Sequence, residues 1–411
     1  LRCLVGSEMC IRDSLGGMEG KTKSIYCAQK RNGFYGARDA ESFEKVNEQK
    51  QIEIEADRIL RLFSNSGAKI VQPTILQQAD TLLDLYGEDI RARAYVTSDP
   101  FNGEMMLRPD FTVPIVKTHM NDLSGNETAR YAYCGKVFRR QEKNSDRASE
   151  YLQVGYEIFD RTDVIQSDAD AFCRIKNALS DLPLRVATGD IGILMAAVSG
   201  LKTTERRKKS LLRHIWRPQR FKAILEKFTD EVSLSTKRFD GFDEEKSFEN
   251  QAKEIGLRSK SEIIERIESL RQDSKASPIS KTELGLINSL LNIGDKCPQA
   301  LTELKNLLPD MPALQSAIEK FEKRLTALDH ANVDLSSIDF EASYGRTSME
   351  YYDGFVFGFY SDSYADLPPI ATGGRYDALT KHIGKGREIP AVGGVVRPDL
   401  IVKSKGFETN D

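Results

Sequence analysis

The sequence predicts an α+β fold, an antiparallel sheet flanked by helices that is interrupted by a mostly helical insertion. Strand-like runs with two-residue alternation occur in residues 41–166 and return in residues 333–403. Between them, residues 167–332 are dominated by apolar residues at helical spacing. With 411 residues the chain is long enough for two or three domains. We therefore expect a core built from two separate parts, 41–166 and 333–403, around an insertion at 167–332.

The first part of the core begins with a helical pattern and continues with short strands. Apolar residues in positions 41–65 form one stripe, which Gly67 ends. A β-rich segment at 68–76 contains Pro73, a residue more typical of a sheet edge or an interface than of a central strand. The elements expected next are a helix at 77–86, a strand at 105–109, and a helix at 112–120 with Thr112 at its start and Pro114 in its first turn.

The insertion is predicted to be helical, with one strongly basic segment. Five apolar residues recur at steps of 4, 3, 4 and 3: Leu314, Ile318, Phe321, Leu325 and Leu328. Residues 188–192 read as a turn with a cap between elements. Residues 202–222 are rich in Lys and Arg but lack the aromatic or glycine pattern of RNA-binding modules. A solvated helix face or a docking surface for an acidic partner is favoured there over a nucleic-acid contact.

Strands return in the second part of the core. Ile338, Phe340 and Ala342 alternate with acidic residues, and residues 355–360 form a continuous apolar run. Residues 371–382 and 392–401 are expected to complete an α+β tail.

Composition bounds the function. The net charge is −3, from 59 basic and 62 acidic residues, which gives no general attraction to nucleic acid or membrane. No apolar run approaches the ~20 residues needed to cross a bilayer. Six scattered cysteines predict reduced thiols in a cytoplasmic protein. Four histidines, none at ligand spacing, predict no metal site.

The first residues show neither a helical period nor the layout of a signal peptide. The chain begins with Leu1, and residues 1–17 are expected to be adapter or other non-native sequence, with Met18 as the start of the protein.

Residues 151–159 carry polar side chains on one face of a hydrophobic strand. Alternation puts Leu152, Val154, Tyr156 and Ile158 on one face. Gln153, Gly155 and Glu157 share the other. A carboxylate and an amide on either side of a glycine suggest the floor of a site for a small polar ligand, because glycine allows close approach to the backbone. A sheet face open to water would give the same pattern, and the segment alone does not decide between them.

Several segments in a fixed order resemble the catalytic core of class II aminoacyl-tRNA synthetases, and specifically histidyl-tRNA synthetase. The resemblance covers residues 41–160 and 337–402, and implies a dimer formed around Pro73. The segments are LRPDFT at 107–112, VFR at 137–139, QVGYE at 153–157, GGRYD at 373–377 and PAVG at 390–393.

The resemblance implies a histidine pocket. Asp110 and Thr112 match the positions that hold the amino group of histidine. Gln153 and Glu157 match its polar strand, with the glutamate facing the imidazole. Residues Tyr351 and Tyr352 match the tyrosine pair that closes the pocket; packing in an aromatic core would otherwise explain them. The chemistry fits, since an α-amine needs a carboxylate and an imidazole N–H needs an acceptor.

The ATP site of the synthetases is matched only in part. Arg139 matches the arginine that contacts the α-phosphate. Gln141 stands where a glutamate contacts adenine, and Thr347 stands at a further arginine position, beside Arg346. Leu400 replaces the arginine that grips the γ-phosphate. The synthetases' anticodon-reading domain is not expected after this motif, and with the near-neutral charge this predicts no tRNA binding.

A retained pocket beside a degraded ATP site resembles the regulatory subunits of ATP phosphoribosyltransferase. This resemblance implies a non-catalytic, cofactor-free protein that assembles with a short-form catalytic subunit and takes part in feedback inhibition by histidine. The alternative is a truncated histidyl-tRNA synthetase-like enzyme that adenylates histidine, supported by Arg139 and Arg346. A weaker third hypothesis is RNA binding through residues 202–222.

Overall fold

A computed structural model describes residues 37–79, 93–121, 128–141, 148–230, 259–346 and 351–406. The chain divides into two compact units, Leu1–Val46 and Asn47–Asp411. Of the first unit, the structure describes only the helical backbone from Ala37 onward. All the sheets and sites below belong to the second unit. The predicted adapter at 1–17 and the predicted start at Met18 lie outside the described residues.

Twelve strands and twelve α-helices are defined in those ranges. The strands are β1 (Lys69–Ile70), β2 (Leu76–Gln78), β3 (Val96–Asp99), β4 (Gly103–Leu107), β5 (Ala129–Phe138), β6 (Glu150–Phe159), β7 (Leu184–Asp190), β8 (Gly294–Lys296), β9 (Ile338–Glu341), β10 (Phe355–Ser361), β11 (Ala371–Arg375) and β12 (Ala391–Val396). The helices are α1 (Ala37–Asn65), α2 (Thr112–Asn121), α3 (Val164–Ala178), α4 (Ile191–Ser199), α5 (Glu205–Arg213), α6 (Pro218–Thr229), α7 (Lys260–Lys275), α8 (Lys281–Leu291), α9 (Cys297–Asn306), α10 (Gln315–His330), α11 (Asp377–Ile383) and α12 (Pro398–Lys405).

The main sheet has nine strands in the order β1-β5-β6-β12-β11-β10-β7-β9-β8. From β5 to β7 every neighbour is antiparallel, which confirms the predicted antiparallel sheet for its centre. Two pairs, β1 with β5 and β7 with β9, are parallel, so the sheet is mixed towards its two ends. Parallel neighbours need a long crossover, and the helices from α4 to α10 provide it between β7 and β9.

A smaller sheet, β2-β4-β3, takes up the first two residues of one predicted helix, and Ala79 is the first helical residue there. Gln77 and Gln78 were expected to begin a helix at 77–86, but they pair with Met106 and Met105 as part of β2. Pairing with a neighbouring strand here overrides the local preference of the sequence. Residues 80–92, which include most of that predicted helix, lie outside the described residues.

The helices with clear apolar stripes occur where the sequence predicted them. α1 covers the stripe at 41–65, α2 begins at Thr112, and α10 buries Ile318, Phe321, Leu325 and Leu328. None of the helices in the described ranges is long and apolar enough to cross a membrane.

Strand β7 lies inside the range predicted as the helical insertion, yet it is an internal strand of the main sheet. Thr188 and Gly189, expected in a turn, belong to this strand. Asp190 caps α4, because its side chain accepts a hydrogen bond from the backbone N–H of Gly192. The predicted boundaries of the insertion, 167–332, stay a prediction.

A chain of buried ion pairs joins the helices to the sheet. Arg324 of α10 contacts Asp168 of α3 at 2.8 Å and Asp190 at 2.8 Å. Asp168 also contacts Arg375 of β11 at 2.7 Å, and Arg375 continues to Asp377 at 2.9 Å. Asp168 and Arg324 are almost fully buried. The carboxylates hold the pKa of both arginines above its usual range despite burial, so both cations stay charged.

The basic segment at 202–222 is only partly a solvated face. Arg207 of α5 is fully buried, and its guanidinium pairs with Asp273 at 2.8 Å and donates to the carbonyls of Asp273 and Ser277. It therefore anchors α5 to the end of α7. Other basic side chains of the segment are exposed: Lys202, Lys209, Arg213, Arg217, Arg220 and Lys222.

Candidate functional site

The polar face of β6 is buried, not open to water. Gln153 is 2 % exposed and Glu157 is 1 % exposed. In the sheet, Glu157 lies between Tyr131 of β5 and Gly393 of β12. The interpretation of this strand as a half-solvated sheet face was wrong, because residues before α11 and at the start of α2 cover it. A buried carboxylate needs specific partners.

Three hydroxyl groups converge on the carboxylate of Glu157. Thr112 donates to Oε1 at 3.2 Å, and Tyr133 donates to the same oxygen at 3.0 Å. Tyr376 donates to Oε2 at 2.6 Å. Because none of these donors carries a charge, the carboxylate is hydrogen-bonded but not neutralised by them. A cationic or proton-donating group would complement such a carboxylate.

Burial raises the pKa of Glu157 to about 7, against the lowering effect of its three hydroxyl donors and with a further rise from Asp110. Burial and the nearby Glu157 carboxylate raise the pKa of Tyr133 and Tyr376 well above the usual range. The tyrosines therefore remain donors at neutral pH. The Glu157 carboxyl group can hold or release a proton there.

The tyrosine pair predicted to close the pocket lies against this cluster. The Tyr351 hydroxyl donates to Thr112 Oγ1 at 3.3 Å, and its ring centroid lies 6.0 Å from that of Tyr376. The ring centroids of Tyr351 and Tyr352 are 5.0 Å apart. Tyr352 is buried, and its pKa is raised by burial and by the Glu157 carboxylate. Both tyrosines thus belong to the same site.

Asp110 and Gln153 add further polar groups. Asp110 is 4 % exposed, and its Oδ1 accepts from the backbone N–H of Val113 at 3.4 Å. Its charge raises the pKa of Glu157 and Tyr133, so it acts on the same cluster. Gln153 Oε1 has no hydrogen-bond partner among the residues that the structure describes. It is an acceptor available to a ligand.

The residues predicted as a vestigial nucleotide site are held by other groups. Arg139 Nε donates to the carbonyl of Pro109 at 2.9 Å, although its charge still lowers the pKa of Tyr352. The Gln141 amide donates to the carbonyls of Arg139 and Ala148, both at 3.3 Å. The side-chain amide of Gln141 therefore forms its hydrogen bonds within its own loop.

Arg346 lies in a different environment. It is 3 % exposed, donates from Nε to the carbonyl of Ile215 at 2.7 Å, and stacks 4.8 Å above the ring of Phe221. Burial lowers its pKa to about 10. These contacts are with the α5–α6 region and not with Arg139 or Gln141. The neighbouring Thr347 lies outside the described residues.

The last motif offers no cation at the position of Leu400. Leu400 is buried in α12. Nearby Arg397 is paired with Asp399 at 2.7 Å and lies 4.1 Å from the ring centroid of Tyr151. Its charge is thus already balanced inside the protein.

Sequence reasoning missed Tyr133 and Tyr376, which supply two of the three hydroxyls on Glu157. Tyr133 lies directly opposite Gly155 in the β5–β6 pair. A Cβ atom at Gly155 would lie 2.1 Å from the Tyr133 ring, so this glycine makes room for the tyrosine. Tyr376 is the tyrosine of the GGRYD segment. An aromatic residue opposite a strand glycine is the signal that could have identified Tyr133.

Gly393 packs against the Glu157 carboxylate, so replacing it with alanine is expected to destabilise the protein. A Cβ atom there would lie 1.6 Å from Glu157 Oε2. We expect Gly393→Ala to lower the free energy of unfolding by about 1–3 kcal/mol, because the carboxylate must move away from its hydroxyl donors. The matched control is Gly285→Ala in α8, where a Cβ meets nothing within 4 Å. The control should raise stability by up to about 1 kcal/mol. Urea denaturation measures both, and equal effects would contradict the proposed crowding.

Comparisons with known proteins agree with this architecture. The sequence model described as histidyl-tRNA synthetase matches residues 43–401. Proteins of Brucella ovis and Brucella abortus, each named ATP phosphoribosyltransferase regulatory subunit, are 29 % identical over 345 residues, covering 79 % of this chain and 90 % of theirs.

Solved structures show the same fold. One is titled an ATP phosphoribosyltransferase regulatory subunit/histidyl-tRNA synthetase from Bacillus halodurans; it has a TM-score of 0.61 at 20 % identity, covering 87 % of this chain and 79 % of that one. A histidine–tRNA ligase subunit from Alicyclobacillus acidocaldarius has a TM-score of 0.55 at 18 % identity, covering 92 % and 97 %.

Proposed function

The chain belongs to the histidyl-tRNA synthetase family, and on that premise we propose that it is a non-catalytic regulatory subunit of ATP phosphoribosyltransferase whose pocket binds histidine. The observation that carries the proposal is a contrast between two sets of residues. The hydroxyl cluster around Glu157 is complete, whereas Leu400 offers no cation and Arg397 is paired with Asp399. The names of the Brucella relatives support the same assignment.

The pocket chemistry suits histidine. The α-ammonium group of an amino acid seeks a carboxylate, which Asp110 supplies. The imidazole N–H seeks an acceptor, which Glu157 supplies; its Oε1 accepts a hydrogen bond from Thr112 at 3.2 Å. The pKa of Glu157, about 7, lies close to the ordinary value for histidine, about 6.5, so one proton can be shared between carboxylate and imidazole. Gln153 offers a further acceptor.

Adenylation places different demands on a protein. Activating a carboxylate with ATP needs cations held ready for the phosphates. A leucine at position 400 cannot bind a phosphate, and Arg397 is neutralised by Asp399. Losing one such contact typically removes several kcal/mol of transition-state stabilisation. These features favour regulation over catalysis.

The proposed partners are a short-form catalytic subunit and a second copy of this chain. Eight of the nine large apolar side chains that are exposed in the described ranges fall between positions 54 and 101: Ile54, Leu62, Ile70, Ile75, Leu76, Tyr95, Val96 and Phe101. Phe101 is 95 % exposed. Apolar exposure concentrated in one stretch of sequence, which includes Pro73, is what a self-association surface needs. Absence of tRNA binding and a cytoplasmic location stay predictions.

Co-expression tests the regulatory assignment. A short-form catalytic subunit that joins ATP to phosphoribosyl pyrophosphate is purified alone and together with this chain. We expect the two chains to co-purify and the rate of the catalytic subunit to rise at least tenfold in the complex. A catalytic subunit that runs equally fast alone, and that does not retain this chain, would contradict the assignment.

The second candidate function is adenylation of histidine. Arg139 favours it, because its charge acts on Tyr352 and so lies near the pocket. Histidine-dependent exchange of pyrophosphate into ATP by the purified chain measures this activity. The regulatory proposal expects no exchange above a control without protein, and clear exchange would favour the enzyme.

A further inference from the structure

The pocket tyrosines are carried by a short segment whose backbone is held at three points. The carbonyl of Tyr352 accepts a hydrogen bond from Trp216 Nε1 at 3.0 Å. The N–H of Asp353 donates to the carbonyl of Arg375 at 3.0 Å, and the carbonyl of Gly354 accepts from the N–H of Ile191 at 2.9 Å. Two of these bonds join backbone to backbone. Only the first uses a side chain, and that side chain comes from the turn between α5 and α6.

This turn, residues 214–217, is called the α5–α6 corner below. Its own backbone bonds close it tightly: Ile215 N–H donates to Leu212, and Arg217 N–H donates to His214. Ile215 is 1 % exposed, and α6 starts directly afterwards at Pro218. The corner is thus a fixed point from which the Trp216 indole reaches the pocket segment.

A second contact to the corner comes from a residue that precedes the pocket tyrosines in the sequence. Arg346 donates from Nε to the carbonyl of Ile215 at 2.7 Å and stacks on Phe221 of α6. A buried guanidinium needs such polar and aromatic contacts to offset its lost hydration. Arg346 and Tyr352 flank residues 347–350, so contacts to the corner occur on both sides of that stretch.

The corner is also tied to the helical part of the chain. Arg207 of α5 is buried, pairs with Asp273, and donates to carbonyls at the end of α7. Leu211 of α5 is fully buried. A displacement of α5 would therefore move the corner, and with it the indole that holds Tyr352.

We propose that the α5–α6 corner positions the tyrosine pair of the pocket, with the Trp216–Tyr352 hydrogen bond as the link that couples ligand occupancy to the helical part of the chain. The proposal rests on the proposed function, in which histidine is the ligand. Trp216 is a positioning residue, because its contact is with the backbone of Tyr352 and not with the ligand.

The link affects affinity only if it favours the binding-competent arrangement of Tyr352 before the ligand arrives. Without the indole donor, residue 352 has more freedom, and a smaller fraction of the free protein is competent to bind. The apparent affinity for the ligand is the intrinsic affinity multiplied by the fraction of free protein that is competent to bind, so it decreases as that fraction decreases. One neutral hydrogen bond corresponds to a change of roughly 3- to 10-fold.

The chain offers a direct reporter, since Trp216 is its one tryptophan. Histidine is titrated into the purified full chain by calorimetry and, in parallel, by tryptophan emission. Trp216→Phe keeps an aromatic ring at the corner and removes only the N–H donor. We expect the emission of the unmodified chain to change and to saturate with the calorimetric midpoint. We expect Trp216→Phe to bind histidine about 3- to 10-fold more weakly.

Tyr364→Phe is the control, an aromatic substitution at a half-exposed site, and should bind as the unmodified chain does. Equal affinities of Trp216→Phe and the unmodified chain overturn the inference and leave the proposed function intact. A constant emission during saturable binding also overturns it, and that arm needs no variant, so it decides even if Trp216→Phe fails to fold. No heat with any of the proteins overturns the proposed function itself, together with the inference.

Discussion

Glu157→Gln is expected to weaken histidine binding by about 10- to 100-fold. The substitution keeps the shape of the side chain and an acceptor for the hydroxyls of Thr112 and Tyr133, but it removes the charge. A hydrogen bond that involves a charged group contributes about 1.5–3 kcal/mol, which corresponds to this range. Calorimetry of histidine binding to the purified chain, or to its complex with the catalytic subunit, measures the change.

Glu150→Gln provides the matched control for this experiment. Glu150 lies on the same strand, β6, but is exposed and pairs with Lys136 at 2.6 Å on the surface. Such surface pairs contribute at most about 1 kcal/mol to stability. We expect histidine affinity within about twofold of the unmodified chain. Equal effects of the two substitutions would show that Glu157 has no special part in binding.

Asp168→Asn is expected to have the largest effect on stability. Asp168 contacts both Arg324, at 2.8 Å, and Arg375, at 2.7 Å, and its side chain is 0 % exposed. Neutralising it removes the carboxylate that the two buried cations share and leaves Arg324 with Asp190 alone and Arg375 with Asp377 alone. Breaking a buried ion pair in this way lowers the free energy of unfolding by about 3–5 kcal/mol. Urea denaturation followed by circular dichroism measures the loss.

Asp170→Asn is the control on the same helix, α3. Asp170 pairs with Arg174 at 2.9 Å and with Arg130 at 3.5 Å, and both arginines are well exposed. A partly exposed pair of this kind contributes about 1 kcal/mol or less. The network account fails if Asp168→Asn and Asp170→Asn lower stability by the same small amount.

The sequence alone was enough to predict those helices and strands in which apolar residues recur at a regular spacing. The stripe of α10 and the two-residue alternation of β9 both determine which side chains are buried, so element and core face could be predicted together. The same reasoning found Glu157, because a charged residue inside an apolar strand breaks the pattern.

The remaining features depend on distant parts of the chain. Gln77 joins β2 because Met106 is available as its partner, and no local preference encodes that pairing. Arg207 was counted as part of a solvated basic segment, but the end of α7 supplies the carboxylate and carbonyls that bury it. Tyr376 reaches Glu157 across 219 positions of sequence. Such contacts follow from topology, which local patterns do not contain.

The central proposal is that a histidine pocket has been kept while the chemistry around it has been lost. The most direct measurement is the rate of ATP phosphoribosyl transfer by the reconstituted complex, as histidine is added, with the unmodified chain and with Glu157→Gln. The proposal predicts that histidine inhibits the complex with the unmodified chain, and that Glu157→Gln shifts this inhibition to at least tenfold higher histidine. Identical inhibition curves for the two complexes, or no inhibition of either, would contradict it.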